Sequence, residues 1–208
     1  MNELMIYSDI GEDMFGDGIS AASIKSQLDS MEGDIKIRIN SPGGDVFDGF
    51  AIYNLINSHE GKKTVYIDGL AASAASIVAM AGDEIVMADN ALMMIHDPWT
   101  MSLGNSADMR DTADLLDKVK GSILTVYDKK SSMTPEEISD LMTKETWFTA
   151  KEAIDAGFAT KSGDSHATVT NINKRWIKNA PPAEKIQKDE ETQVMWRIAL
   201  NKRRMMTI

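Results

Sequence analysis

Serine and histidine are the side chains in this sequence best suited to making and breaking an acyl bond, and where they fall narrows the choice. Ser73 lies in Gly69-Leu70-Ala71-Ala72-Ser73-Ala74-Ala75-Ser76, between a strand-like segment, Thr64 to Asp68, and an apolar helix-like one, Ile77 to Gly82. A serine at such a junction places its hydroxyl at a helix N-terminus, where free N–H groups and the helix dipole favour a developing negative charge. That arrangement suits a nucleophile with an oxyanion hole beside it, and the same run of small side chains also suits plain close packing of a helix on a sheet. Ser76 reads as a bystander on the helix. A serine nucleophile needs a base. Of the three histidines, only His96 stands at the end of an apolar strand, where a rigid element can aim it into a cleft. His59 and His166 sit in polar turns and read as solvated surface residues. A third piece is Asn40-Ser41-Pro42-Gly43-Gly44-Asp45. Two adjacent glycines after a proline allow backbone conformations closed to other residues, and they can present an N–H to a substrate.

Composition removes several alternatives. The 208 residues contain no cysteine, so thiol nucleophiles, thiolate metal sites and disulfides are excluded. A net charge of −10 argues against nucleic-acid or anionic-membrane partners. No apolar run approaches the roughly 18 residues of a membrane span, and the start lacks a signal-peptide pattern. The expectation is a cytoplasmic protein that needs neither a metal nor an organic cofactor.

The elements that must position these residues follow from periodicity. Leu4 to Tyr7 reads as a buried strand, and Ile19 to Met31 as a helix with Gly33 as its C-terminal cap. Asp34 to Asn40 alternates, with Ile35, Ile37 and Ile39 on a buried face and Lys36 and Arg38 on a polar one. A helix from about Val46 to Ser58, the strand Thr64 to Asp68 and the helix after Ser73 complete a repeated strand–turn–helix unit, hence an α/β layered fold. Glu84–Met87 and Ala91–Ile95 read as two further strands. From Ala107 to about Ser131 runs a helical pattern too long for a compact domain of this size, which predicts that it projects onto a partner subunit. Thr134-Pro135-Glu136-Glu137 is a capping-box helix start, and the helix Ala150–Ala156 ends at Gly157. The expected division is a head with its handle over residues 1–160, then over 161–208 a loop at Ser162–His166, a linker at Asn179–Pro182 and a charged helical tail from Glu184 to Met206.

Asn40-Ser41-Pro42-Gly43-Gly44, Gly69-Leu70-Ala71-Ala72-Ser73-Ala74, Met94-Ile95-His96-Asp97-Pro98 and Phe148-Thr149-Ala150-Lys151-Glu152-Ala153-Ile154-Asp155-Ala156-Gly157 occur in the order found in ClpP-type serine peptidases, and the chain resembles that family from about Leu4 to Ala159. The resemblance implies a ClpP/crotonase-type fold with a projecting handle helix. It implies Ser73 as nucleophile, His96 as general base, and the Gly44 and Ala74 N–H groups as oxyanion hole. It also implies that Gly43, Trp99, Thr100, Met101 and Leu103 meet a polypeptide substrate, the stretch Trp99 to Ser106 corresponding to the family's handle strand. Partners implied are further copies in a ring, stacked as a double ring, and a separate AAA+ ATPase. The short front and long tail resemble the ClpP-like proteases of phage and prophage capsid clusters, whose partners are capsid or scaffold proteins. The sequence departs from the family at the third triad position, where Thr146 stands in place of an aspartate with Glu145 beside it. Thr146 is the candidate by alignment and Glu145 by chemistry, since a carboxylate stabilises an imidazolium and a hydroxyl only orients the ring. Asp97 is a lesser candidate. Two other readings remain: an inactive assembly protein of the same fold, and a crotonase-like acyl-CoA enzyme.

Overall fold

The computed structural model describes residues 2–11 and 18–163. The expected linker, the charged tail and His166 lie outside the described residues. Among the described residues, seven strands form one sheet. Strands β1 (Asn2–Ile6), β2 (Ile35–Ser41), β3 (Lys63–Ala72), β4 (Glu84–Ala88) and β7 (Lys161–Gly163) run in parallel, side by side in that order. Strand β3 changes partner along its length. Thr64–Ile67 pair with β4, whereas Leu70–Ala72 pair with β5 (Leu92–Ile95). Strand β6 (Thr146–Thr149) then pairs antiparallel to β5. The expected α/β fold is therefore the observed one, with a fork in the sheet at the C-terminal end of β3.

The helices cover this sheet. Helices α1 (Ala21–Leu28) and α2 (Val46–Asn57) pack against each other, and all six residues of α3 (Ala74–Ala79) are buried. Helix α4 (Ser106–Asp128) is buried only through Val119, Ile123, Val126 and Tyr127 in its second half, while α5 (Pro135–Thr143) and α6 (Ala150–Asp155) close the far end. Alternation explains the core: Ile35, Ile37 and Ile39 of β2 are essentially inaccessible, as are Val65 and Ile67 of β3.

Four local expectations are corrected. Helix α1 starts after the Ser20 cap and its C-cap is Asp29, so Gly33, at φ +73°, belongs to the following turn. Arg38 is not on a wet face. It is 6% exposed, and its Nε donates to Asp68 Oδ2 at 2.9 Å while Tyr7 hydrogen-bonds the same carboxylate. Burial and Asp68 together push the Tyr7 phenol up to about 12. A strand pattern cannot distinguish a polar face in water from one carrying a buried ion pair. The segment from Trp99 to Asn105 carries neither helix nor strand, although its place next to α4 is as expected. Finally, Lys161–Gly163, expected in a loop and linker, is a sheet strand paired with Val86–Ala88.

Candidate active site

Ser73 sits where β3 ends and α3 begins, and its backbone is strained. At φ 53° and ψ −126° it occupies a region that side-chain-bearing residues rarely adopt, at a cost of about 1–3 kcal/mol. Its N–H donates to the Met94 carbonyl at 2.9 Å, which ties the elbow to β5. Because β3 and β5 pair through Ala72 and Met94, the residues just beyond, Ser73 and His96, converge: Ser73 Oγ lies 2.7 Å from His96 Nε2. Nε2 accepts the serine hydrogen only in the neutral tautomer that carries its proton on Nδ1.

The glycine turn completes the floor. Gly43, at φ +93°, lies so close that a Cβ there would stand 2.6 Å from the Ala72 carbonyl and 2.8 Å from the Ala74 nitrogen. The buried Ser41 hydroxyl donates to the Ser8 carbonyl at 2.6 Å and accepts from the Gly43 N–H at 3.2 Å, which fixes the turn. Ile10 clasps the turn from outside, its N–H donating to the Gly43 carbonyl and its carbonyl accepting from Asp45, both at 2.8 Å. The Gly44 N–H takes no part in that clasp. Neither it nor the Ala74 N–H donates to any acceptor among the described residues, and both residues line the same cavity as Ser73 and His96. Two free N–H groups beside a hydroxyl–imidazole pair can hold an oxyanion as it forms.

That cavity has a volume of about 230 Å³. Trp99 and Thr100 line it; Gly43 lies behind Ser73, and Met101 and Leu103, both exposed, take no part in its lining. Its apolar wall comes from Ile77 of α3 and from Leu116, Val119, Ile123 and Tyr127 of α4. Periodicity alone assigns that stripe of α4 to packing and says nothing of a cavity. The buried Ser76 is no bystander either: its hydroxyl bonds both the Ser73 carbonyl and the Tyr127 hydroxyl. Among the described residues no group of three or more His, Cys, Asp or Glu is placed to hold a metal ion, and no helix is long and apolar enough to cross a membrane.

Around His96 the third partner is open. Among the described residues its ring bonds only to Ser73. The Thr146 hydroxyl donates to the Leu141 carbonyl at 2.7 Å, and Thr146 pairs across the ladder with Ile95. One step beyond that pair stand His96 and Glu145. Glu145 has φ +48° and accepts from the Trp147 indole N–H at 3.3 Å. Asp97 is turned elsewhere, ion-paired to Lys120 at 2.8 Å and hydrogen-bonded by Thr143 at 3.0 Å. Burial lowers the His96 pKa below its ordinary value, while the charges of Glu145 and then Asp97 pull it upward.

Against known proteins, the family model described as Clp protease matches residues 3–165. The chain is 30% identical over 156 residues to the ATP-dependent Clp protease proteolytic subunit of Ligilactobacillus salivarius, covering 74% of this chain and 79% of that one. It is 32% identical over 161 residues to the ATP-dependent Clp protease proteolytic subunit 3 of Streptomyces coelicolor, covering 74% of each. Among solved structures, a variant of ClpP1 from Listeria monocytogenes superposes with a TM-score of 0.69 at 22% identity, over 79% of this chain and 92% of that one, a likeness of fold.

Proposed function

Because this chain belongs to the Clp protease family of serine peptidases, we propose that Ser73 and His96 hydrolyse peptide bonds in the cavity between α3 and α4. The single observation that carries this reading is the 2.7 Å contact from Ser73 Oγ to His96 Nε2. Ser73 Oγ attacks the peptide carbonyl carbon while His96 Nε2 takes its proton. The carbonyl oxygen, now an anion, lies against the Gly44 and Ala74 N–H groups, each worth about 2.7–4 kcal/mol of barrier. Collapse breaks the C–N bond, and His96 delivers the proton to the leaving amine. Water, deprotonated by the same imidazole, then frees Ser73. The apolar wall of Ile77, Leu116, Val119 and Ile123 favours an apolar side chain next to the scissile bond.

Ser73→Ala tests this reading. It is expected to lower peptide cleavage by at least about 10⁴-fold and to abolish labelling by a fluorophosphonate, with the fold unchanged. Cleavage at the wild-type rate by that variant would sink the assignment, and a wild-type protein that never labels supports the inactive assembly protein instead.

The remaining partners are part of the same proposal. Glu145 positions His96, supported by its place one step beyond the Ile95–Thr146 pair. Copies of the chain assemble into a ring through α4 and the exposed Trp99–Leu103 segment. A separate ATPase feeds the chamber, a reading supported by the term ATP-dependent in the names of the bacterial relatives. A narrower role in trimming phage capsid or scaffold protein rests on resemblance alone, and its test is site-specific cleavage of a purified scaffold protein.

A further inference from the structure

Ser76 and Tyr127 make a contact for which hydrolysis, as described, has no use. Ser76 Oγ lies 2.6 Å from the Ser73 carbonyl oxygen and 2.7 Å from the Tyr127 hydroxyl, and both side chains are buried. A serine hydroxyl has one hydrogen and a carbonyl can only accept, so Ser76 donates to Ser73 and Tyr127 must donate to Ser76. The chain of donors therefore runs from α4, through Tyr127 and Ser76, to the peptide that follows the strained serine. Burial holds the Tyr127 phenol well above its ordinary range, so it stays a donor.

A serine in a short helix commonly bonds back to a carbonyl three residues earlier. Here a second bond, from another helix, fixes the rotamer that makes the first. The Ser73 carbonyl also accepts the Ser76 N–H at 2.9 Å. Two donors on one carbonyl matter because the Ser73 C=O and the Ala74 N–H are opposite sides of a single planar peptide unit. If that plane turns, the N–H turns with it.

We infer that Ser76 and Tyr127 are positioning residues for the oxyanion donor: by holding the Ser73 carbonyl toward the core they aim the Ala74 N–H into the cavity. This rests on the reading of Ser73 as nucleophile. It gives α4 a role in the chemistry distinct from lining the cavity, since a buried phenol on that helix holds the peptide on which the oxyanion rests.

The test uses Ser76→Ala, Tyr127→Phe and the double variant of the full chain, with steady-state peptide cleavage and affinity for a peptide aldehyde, which forms an oxyanion on Ser73. Ser76→Ala is expected to lower kcat about tenfold with KM within about twofold, and Tyr127→Phe about threefold. Aldehyde affinity falls in step with kcat, while the pH limb set by His96 stays in place. The double variant is no slower than Ser76→Ala, because the two groups are links of one chain. Wild-type kcat in Ser76→Ala, losses that multiply in the double variant, or a loss confined to KM overturns the inference. Should Ser76→Ala not fold, Tyr127→Phe carries the same comparison, since it removes a single oxygen. Fluorophosphonate labelling of the wild type separates the two levels. No label at Ser73 overturns the nucleophile and this inference with it, whereas a labelled wild type beside an unaffected Ser76→Ala overturns only the positioning role.

Discussion

At His96 two influences oppose each other. Burial favours the neutral ring, and the negative charges of Glu145 and Asp97 favour the protonated one, with burial the larger. With His96 as the proposed base, activity needs the neutral ring, so the acid limb of kcat/KM is expected below the ordinary histidine value of about 6.5. Glu145→Gln removes a charge that pulls the pKa up, so the limb moves further to the acid side. If Glu145 also steadies the imidazolium, kcat falls roughly 10- to 100-fold. Thr146→Val is expected to change kcat by less than about threefold, because the Thr146 hydroxyl already donates to Leu141. A limb that stays put in Glu145→Gln, together with a collapse of activity in Thr146→Val, assigns the third role to Thr146. Serine, histidine and the free N–H groups were legible in the sequence because their chemistry is local to motifs. The Tyr127–Ser76 contact was not, since it joins residues 51 positions apart through tertiary packing alone.

At the scale of elements, turn chemistry does most of the positioning. Asp45 caps α2 by accepting from the Phe47 and Asp48 N–H groups, both at 2.9 Å, directly after the glycine pair. Gly43→Ala would put a Cβ against the backbone of Ala72 and Ala74 at a positive φ, and backbone atoms cannot step aside as a flexible side chain does. It is expected to lower the thermal midpoint by several degrees and peptide cleavage by at least about tenfold, read by calorimetry and initial rates. A wild-type midpoint would show that the turn has slack. Turn and cap signals of this kind are legible in the sequence: the Thr134–Glu137 capping box and the positive-φ Gly157 stand where expected. Strand β7 is not, because three residues without alternation become a strand only by pairing with β4.

At the scale of the whole molecule, the first half of α4 is the conspicuous surface. Met109 and Leu115 are exposed there, and Trp99, Met101 and Leu103 are more exposed still, the last at 99%. An apolar surface of this kind on a chain of net charge −10 fits self-association opposed by like charge. Leu103→Asp with Leu115→Asp is expected to shift sedimentation toward the monomer and leave the thermal midpoint of the monomer unchanged. An unaltered large species would place the contact elsewhere. The helix itself was legible from its period and length, but which half is clothed was not, since a repeating apolar stripe looks the same on a covered turn and on a bare one.

The fork in the sheet has one further consequence, for the chain while it is being made. Ser73 and His96 are 23 residues apart and meet only once β5 has docked beside the end of β3. A ribosome that has released β3 and α3 but not yet β5 has made a serine with no base. On the proposed reading of Ser73 and His96, the nascent chain therefore lacks its hydroxyl–imidazole pair until the sheet closes.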